Sequence, residues 1–163
     1  MPNSMELQDA IRTLAEELHL PEIAPDDDGI YTVVFDGELA VEIVPWDDST
    51  VLLRTPLEAL PVGDPDKEKL MLQRVMQFSL ARLRGRRTTT SLDAPSNRLL
   101  LTRTLALSSL RPFEFSAAIE DFVNDLDMWQ RFLDSGVATS STASSSYSGA
   151  SSGYQQPMMI IMP

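Results

Sequence analysis

The apolar and polar positions follow two rhythms. Between Gly29 and Leu57 the rhythm is that of strands. Gly-Ile-Tyr-Thr-Val-Val-Phe and Glu-Leu-Ala-Val-Glu-Ile-Val flank Asp36-Gly37. That dipeptide tolerates positive φ at both central turn positions, so it predicts a two-residue type I′ hairpin. Such a turn sets Val34 against Leu39, Thr32 against Val41 and Ile30 against Ile43, an almost wholly apolar face that must be buried. The other face then carries Tyr31, Val33 and Phe35 against Glu42, Ala40 and Glu38. A slip of one residue would exchange the two faces. Pro45 cannot donate to a ladder and is expected to end the second strand. Thr50 to Thr55 returns as a third strand after an acidic turn.

Around this meander the rhythm is helical. Leu7, Ile11, Leu14 and Leu18 predict an amphipathic helix over Ser4 to Leu20, capped by Ser4 or Asn3 and stopped by Pro21. Asp64 and Pro65 are placed to start a second helix that runs to about Arg84, with Gly85 as its stop. Leu70, Met71, Leu72, Val75, Met76, Phe78 and Leu80 cover more than one stripe of it. A helix apolar on more than one face needs two partners. One is the sheet; the other is a second subunit or a second layer of the same monomer. The small size of the chain favours a dimer, through Leu70, Met71, Val75, Met76 and Phe78. Thr88 to Asp93 and Arg98 to Leu105 read as a second hairpin. Pro112 opens a last helix in which Phe115, Ile119, Phe122, Leu126, Trp129 and Leu133 form the strongest stripe of the chain, a packing surface rather than a ligand cage; Gly136 is its expected end. The predicted fold class is α+β: helix, three-strand antiparallel meander, helix, two-strand hairpin, helix.

Composition divides the chain further. Residues 1–134 suit one domain; residues 135–156 are mostly Ser, Thr, Ala and Gly, with two tyrosines, a flexible linker that cannot bury enough apolar surface to offset its ordering. Residues 157–163, Pro-Met-Met-Ile-Ile-Met-Pro, are apolar again. They are either a disordered end or a tethered segment that docks on an apolar groove of its own dimer or of a partner.

Charge removes several functions. Net charge is -11, from 24 acidic against 13 basic residues, which opposes nucleic acid and anionic membrane partners. The one basic cluster, Arg82, Arg84, Arg86 and Arg87, has no interleaved aromatics for base stacking and reads as a solvated helix end. Absence of cysteine excludes disulfides, thiolate catalysis and zinc–thiolate sites. Met1 to Leu20 lacks the basic region and apolar run of a signal peptide, and no stretch is apolar enough to span a bilayer. The expectation is a soluble, cytoplasmic protein.

The candidate chemistry is thin. His19, the single histidine, has no companion for a metal site and reads as a helix-end residue. Pro25-Asp-Asp-Asp-Gly29 lacks the alternating oxygen ligands of a calcium loop and reads as a turn. No phosphate loop, metal-ligand cluster or nucleophile elbow is present, so neither an enzyme nor a cofactor or metal is expected.

The ordered elements resemble the class I chaperones of type III secretion systems, the CesT (Tir chaperone) family. The likeness is carried by Leu18-His-Leu-Pro21, the Asp28-Gly29 entry, Phe35-Asp-Gly37, Leu60-Pro61, the helix around Leu70 to Leu83, Ser91-Leu-Asp93 before Leu99-Leu-Leu101, and Phe113, Phe122 and Trp129 to Leu133. Many relatives carry an asparagine-containing run where this chain has Gln77-Phe78-Ser79. The resemblance implies a bacterial cytoplasmic homodimer, built through the middle helix, that hydrolyses no ATP. It would bind the N-terminal segment of a secreted effector, keep it extended and present it to the secretion ATPase. A same-fold protein that sequesters a secretion or transcription regulator is the alternative. An extended peptide needs a sheet edge and apolar pockets. The half-apolar face of Tyr31, Val33 and Phe35, with Trp46 and Leu53, offers such pockets unless a helix or the second hairpin covers it.

Overall fold

The computed structural model describes residues 6–82 and 87–141. The order is α1 (Leu7–Glu17), β1 (Tyr31–Phe35), β2 (Leu39–Asp47), β3 (Thr50–Ala59), α2 (Pro65–Arg82), β4 (Thr89–Asp93), β5 (Arg98–Ala106), a short 3-10 turn (Leu107–Ser109) and α3 (Pro112–Ser141). All five strands join one antiparallel sheet in the order β1-β2-β3-β5-β4. α3 packs on β2 and β3, and α1 packs on α3. The fold is α+β with the expected succession of elements.

The expected turn is present, but the expected register is not. Asp36 and Gly37 have φ of 52° and 77°, the left-handed pair of a type I′ turn, and Glu38 N–H donates to the Phe35 carbonyl at 3.1 Å. Phe35 nevertheless pairs with Leu39, Val33 with Val41 and Tyr31 with Ile43. Glu38 is thus one residue too many between turn and ladder, a bulge in the sense that two residues oppose one. The extra residue exchanges the faces of β1. Tyr31 and Val33 go into the core; Thr32 and Val34 face out. The physical reason is bulk: this register buries Tyr31 and Val33 and leaves a threonine, not an aromatic, to water.

Pro45 does not end β2. It pairs with Val51, and the ladder shifts between Pro45 and Asp47, a bulge that accommodates a residue without an N–H. β3 runs past Thr55 to Ala59 and takes β5 as its second neighbour. The core face holds Val41, Ile43, Val51, Leu53, Leu99, Leu101 and Leu105, against Phe115, Ile119, Phe122, Leu126 and Trp129 of α3. The stripe read from the α3 sequence is therefore the packing surface. The helix continues beyond Gly136 through Ser141.

α1 is shorter than expected. His19 adopts φ 53°; its N–H donates to the Glu16 carbonyl, and Leu20 N–H donates to the Ala15 carbonyl. This pair of bonds around a left-handed residue is a Schellman ending, so the chain leaves the helix before Pro21. His19 is a helix-end residue. The expected caps Asn3 and Ser4 lie outside the described residues. At α2 the expected start holds: Lys67 N–H donates to Asp64 Oδ1 at 3.1 Å, with Pro65 as the first helical residue. That bond holds the Asp64 carboxyl below its ordinary pKa.

Candidate partner-binding surfaces

Three surfaces present themselves, and the sequence-derived candidates divide among them. The first is the outward side of α2. Met71 and Leu72 are half-buried and Val75 is buried, all turned towards the body. Phe78 stacks on Phe132 at 4.1 Å and meets Trp129 edge-on at 4.6 Å. Ser79 bonds Thr90 of β4 at 2.9 Å. Arg82 is not part of a solvated cluster: its Nη2 bonds Asp125 Oδ1 at 2.7 Å, and Thr88 Oγ1 donates to the other carboxylate oxygen at 3.0 Å. Arg84 and Arg86 lie outside the described residues. Leu70, Met76 and Leu80 point the other way, 58%, 70% and 69% exposed. Between them are Gln73 and Gln77. The stripe from Leu70 to Leu80 carries no ionised side chain, because Arg74 lies over the Phe132 ring. Of the five interface candidates, Leu70 and Met76 face outward, while Met71, Val75 and Phe78 belong to the monomer. Leu80 joins the outward set; its place one turn beyond Met76 was the signal for it.

The second surface is the β1 edge. Among the described residues it has no neighbouring strand beyond the single bridge of Pro25 to Tyr31. Thr32 and Val34 are exposed there. The loop leading in is fixed by Asp26, whose Oδ1 accepts N–H bonds from Asp28 and Ile30. The acidic run is a turn, and among the described residues no group of His, Asp or Glu could hold a metal ion. A cleft of about 540 Å³ flanks this edge, walled by Ile11, Ala15, Leu20, Ile23 and Tyr31. A second groove, of about 390 Å³, lies on the other side of α1, walled by Leu14, Leu18, Phe35, Phe113, Ile119 and Val123.

The five effector-binding candidates therefore do not form one face. Tyr31, Val33 and Leu53 are 7%, 2% and 0% exposed, because the bulge at Glu38 turns the β1 pair inward and Leu53 sits on the helix-covered side of β3. Tyr31 still contributes a wall to the first cleft, and Phe35 to the second groove. Trp46 is 70% exposed. It lies seven residues along β2 from Leu39, about 23 Å at strand rise, so Phe35 and Trp46 stand at opposite ends of the sheet.

The third surface is a cavity of about 480 Å³ between β5 and α3, lined by Arg87, Arg103, Leu105, Phe113, Asp121 and Asp125. Arg103 is buried; its Nη1 donates to the Ala118 carbonyl at 2.9 Å and lies 3.8 Å from Asp121. Burial pulls its pKa down and the Asp121 charge opposes this. Acids balance its charges, so it has no excess potential for an anion.

A model of the Tir chaperone protein (CesT) family matches residues 9–130. The chain belongs to the CesT family. A search of curated proteins gave no match. Solved structures share the fold of this chain. A chain of the HopA1–SchA chaperone–effector complex superposes with a TM-score of 0.59 at 15% identity, over 75% of this chain and 91% of that one. The ExsC–ExsE complex gives 0.54 at 16% identity, over 80% and 96%. The Yersinia pestis type III secretion chaperone SycH, in complex with a stable fragment of YscM2, gives 0.53 at 16% identity, over 75% and 98%. At these identities the likeness concerns the fold. Among the described residues, no helix of this CesT protein is long and apolar enough to cross a membrane.

Proposed function

We propose that the protein is a homodimeric, ATP-independent type III secretion chaperone of the bacterial cytoplasm. It binds the N-terminal segment of secreted effectors, keeps it extended and delivers it to the secretion ATPase. It is a binding protein with no catalytic step. Family membership across residues 9–130 carries the reading.

The geometry supports client binding and self-pairing. A strand edge beside a cleft with apolar walls and a charged rim of Arg12, Glu16 and Glu22 suits an extended peptide: backbone groups bond to the edge, and alternate side chains enter the cleft. The contacts proposed are the outer edge at Thr32 and Val34, with Tyr31 and its cleft neighbours Ile11, Ala15 and Ile23. Phe35 and Trp46 serve as outlying apolar anchors. Val33 and Leu53 act beneath this surface by holding β1 and β3 in place. The acidic balance steers basic client segments and discourages self-association. The uncharged Leu70–Met76–Leu80 stripe is depleted of ionised groups, as the centres of interfaces are. A two-fold contact of this helix with its copy gives the homodimer.

Affinity capture of the tagged chain, followed by limited proteolysis of the complex, tests the reading. A secreted protein protected only over its N-terminal segment is the expected result. A bound cytosolic regulator, with no secreted protein, would replace delivery by sequestration on the same fold.

A further inference from the structure

The groove between α1 and α3 has a candidate occupant within this chain. We infer that residues 157–163, Pro-Met-Met-Ile-Ile-Met-Pro, dock in the groove of Leu14, Leu18, Phe35, Phe113, Ile119 and Val123. The inference needs no client and stands apart from the chaperone reading.

Reach is the first argument. α3 ends at Ser141, and residues 142–156 separate it from Pro157. The near end of the groove, at Val123, lies about 27 Å back along the helix at 1.5 Å per residue. A flexible chain of that length has a root-mean-square span of about 22 Å and a limit of about 50 Å. Val123 is thus within ordinary reach. Phe113, at the far end, lies about 15 Å further along the helix. Seven residues in extended form cover about 23 Å, so the segment running antiparallel to α3 spans the groove.

Chemistry is the second argument. The groove is mainly apolar, and Leu18 and Phe113 project at its rim, both exposed. Ala117 and Ser116, which line it, are small enough to admit a backbone. Glu17 and Glu120 are its acids. They would disfavour an acidic segment, but residues 142–162 contain no Asp, Glu, Lys, Arg or His. Methionine side chains are unbranched and adaptable, suited to an irregular groove. Tethering is the third argument. A short flexible linker gives an effective concentration in the millimolar range, so even a weak apolar contact is populated. On this arrangement the segment shields an apolar groove that an acidic, soluble protein would otherwise expose.

The test is methyl NMR of the full chain labelled with [ε-13C]methionine, with signals assigned by single Met→Leu substitutions. The expected result is that Met158, Met159 and Met162 are displaced from free-chain positions and show contacts to the Phe113 ring. Ala117→Glu lies on an exposed position of α3 and should return all three signals to free-chain positions while leaving Met71 unmoved. Ile160→Glu with Ile161→Glu, which touches none of the described residues, should do the same to the remaining tail signals. Free-chain positions in the unaltered protein overturn the inference. So do displaced signals that Ala117→Glu leaves in place, or displacement that vanishes on tenfold dilution, which puts the segment on a second molecule.

Discussion

Arg82 Nη2 and Asp125 Oδ1 meet at 2.7 Å where the C-terminal end of α2 crosses α3, with both side chains largely withdrawn from water. The Phe78 ring lies 5.2 Å from the guanidinium, and Thr88 holds the second carboxylate oxygen. The pair pins the outward-facing helix to the body. Breaking a buried pair leaves one uncompensated charge, a cost of about 3–5 kcal/mol. Asp125→Ala is expected to lose about that much stability in urea titration. The double variant Arg82→Met with Asp125→Leu should lose less than Asp125→Ala alone, because both charges are gone. A double variant as weak as the single one would show that the tie matters for its shape, not its charge.

The two sides of α2 separate assembly from folding. Met76→Glu with Leu80→Glu places charges on the exposed stripe and touches no core residue. The expected outcome is a monomer by sedimentation, with unchanged circular dichroism. Val75→Glu, one residue away, puts a carboxylate in the core and should unfold the chain. A dimer that survives the double glutamate variant would move the interface elsewhere.

The fold was readable where one physical signal governed each element. The α3 stripe at Phe115, Ile119, Phe122, Leu126 and Trp129 is a 3.6-residue pattern long enough to leave no choice, and Asp64-Pro65 marks a helix start by its hydrogen-bonding chemistry alone. The β1 register was not readable, although the turn was. Asp36-Gly37 predicts its own φ values, but a bulge at Glu38 is selected by what the sheet buries, and both faces of Tyr31 to Phe35 are partly apolar. The binding candidates inherited that ambiguity. Burial of Tyr31, Val33 and Leu53 follows from α1 and α3 covering their face, a tertiary fact that strand periodicity does not contain. On α2, an apolar surface wider than one stripe announced two partners, but the division between Val75 inward and Met76 outward needed the position of Phe132.

The register makes a prediction of its own at the sheet edge. Counting the antiparallel alternation from the Phe35 carbonyl turns the Val34 amide away from β2. Val34→Pro removes that outward donor at a place where proline is tolerated. Client affinity is expected to fall by up to about tenfold, the size of one net hydrogen bond, with little loss of stability. Leu53→Ala should do the reverse. It empties a fully buried site at a cost of about 2–5 kcal/mol, and any client still bound by the folded fraction should bind with unchanged affinity. If Val34→Pro leaves affinity intact, the client does not pair with β1.

Asp64 gives the pH dependence. Its carboxylate accepts the Lys67 N–H, the chief cause of its lowered pKa, and the cation of Lys67 lies 3.2 Å from its other oxygen. A carboxyl whose pKa is depressed by folding binds fewer protons in the folded state. Its contribution is therefore complete above the ordinary aspartate value of 3.8 and is lost as pH falls through the lower folded value. Because the side chain is exposed to solvent, added salt should diminish the ionic part, while the cap bond to the backbone persists. The full chain should be more stable than Asp64→Ala at pH 7, and the gap should narrow only as the pH falls to about 3.8 and below. Paired thermal melts from neutral pH down to about pH 2.5 would measure the gap directly. A gap that closed near pH 6 would assign it to another group, since no capping carboxylate of lowered pKa titrates there.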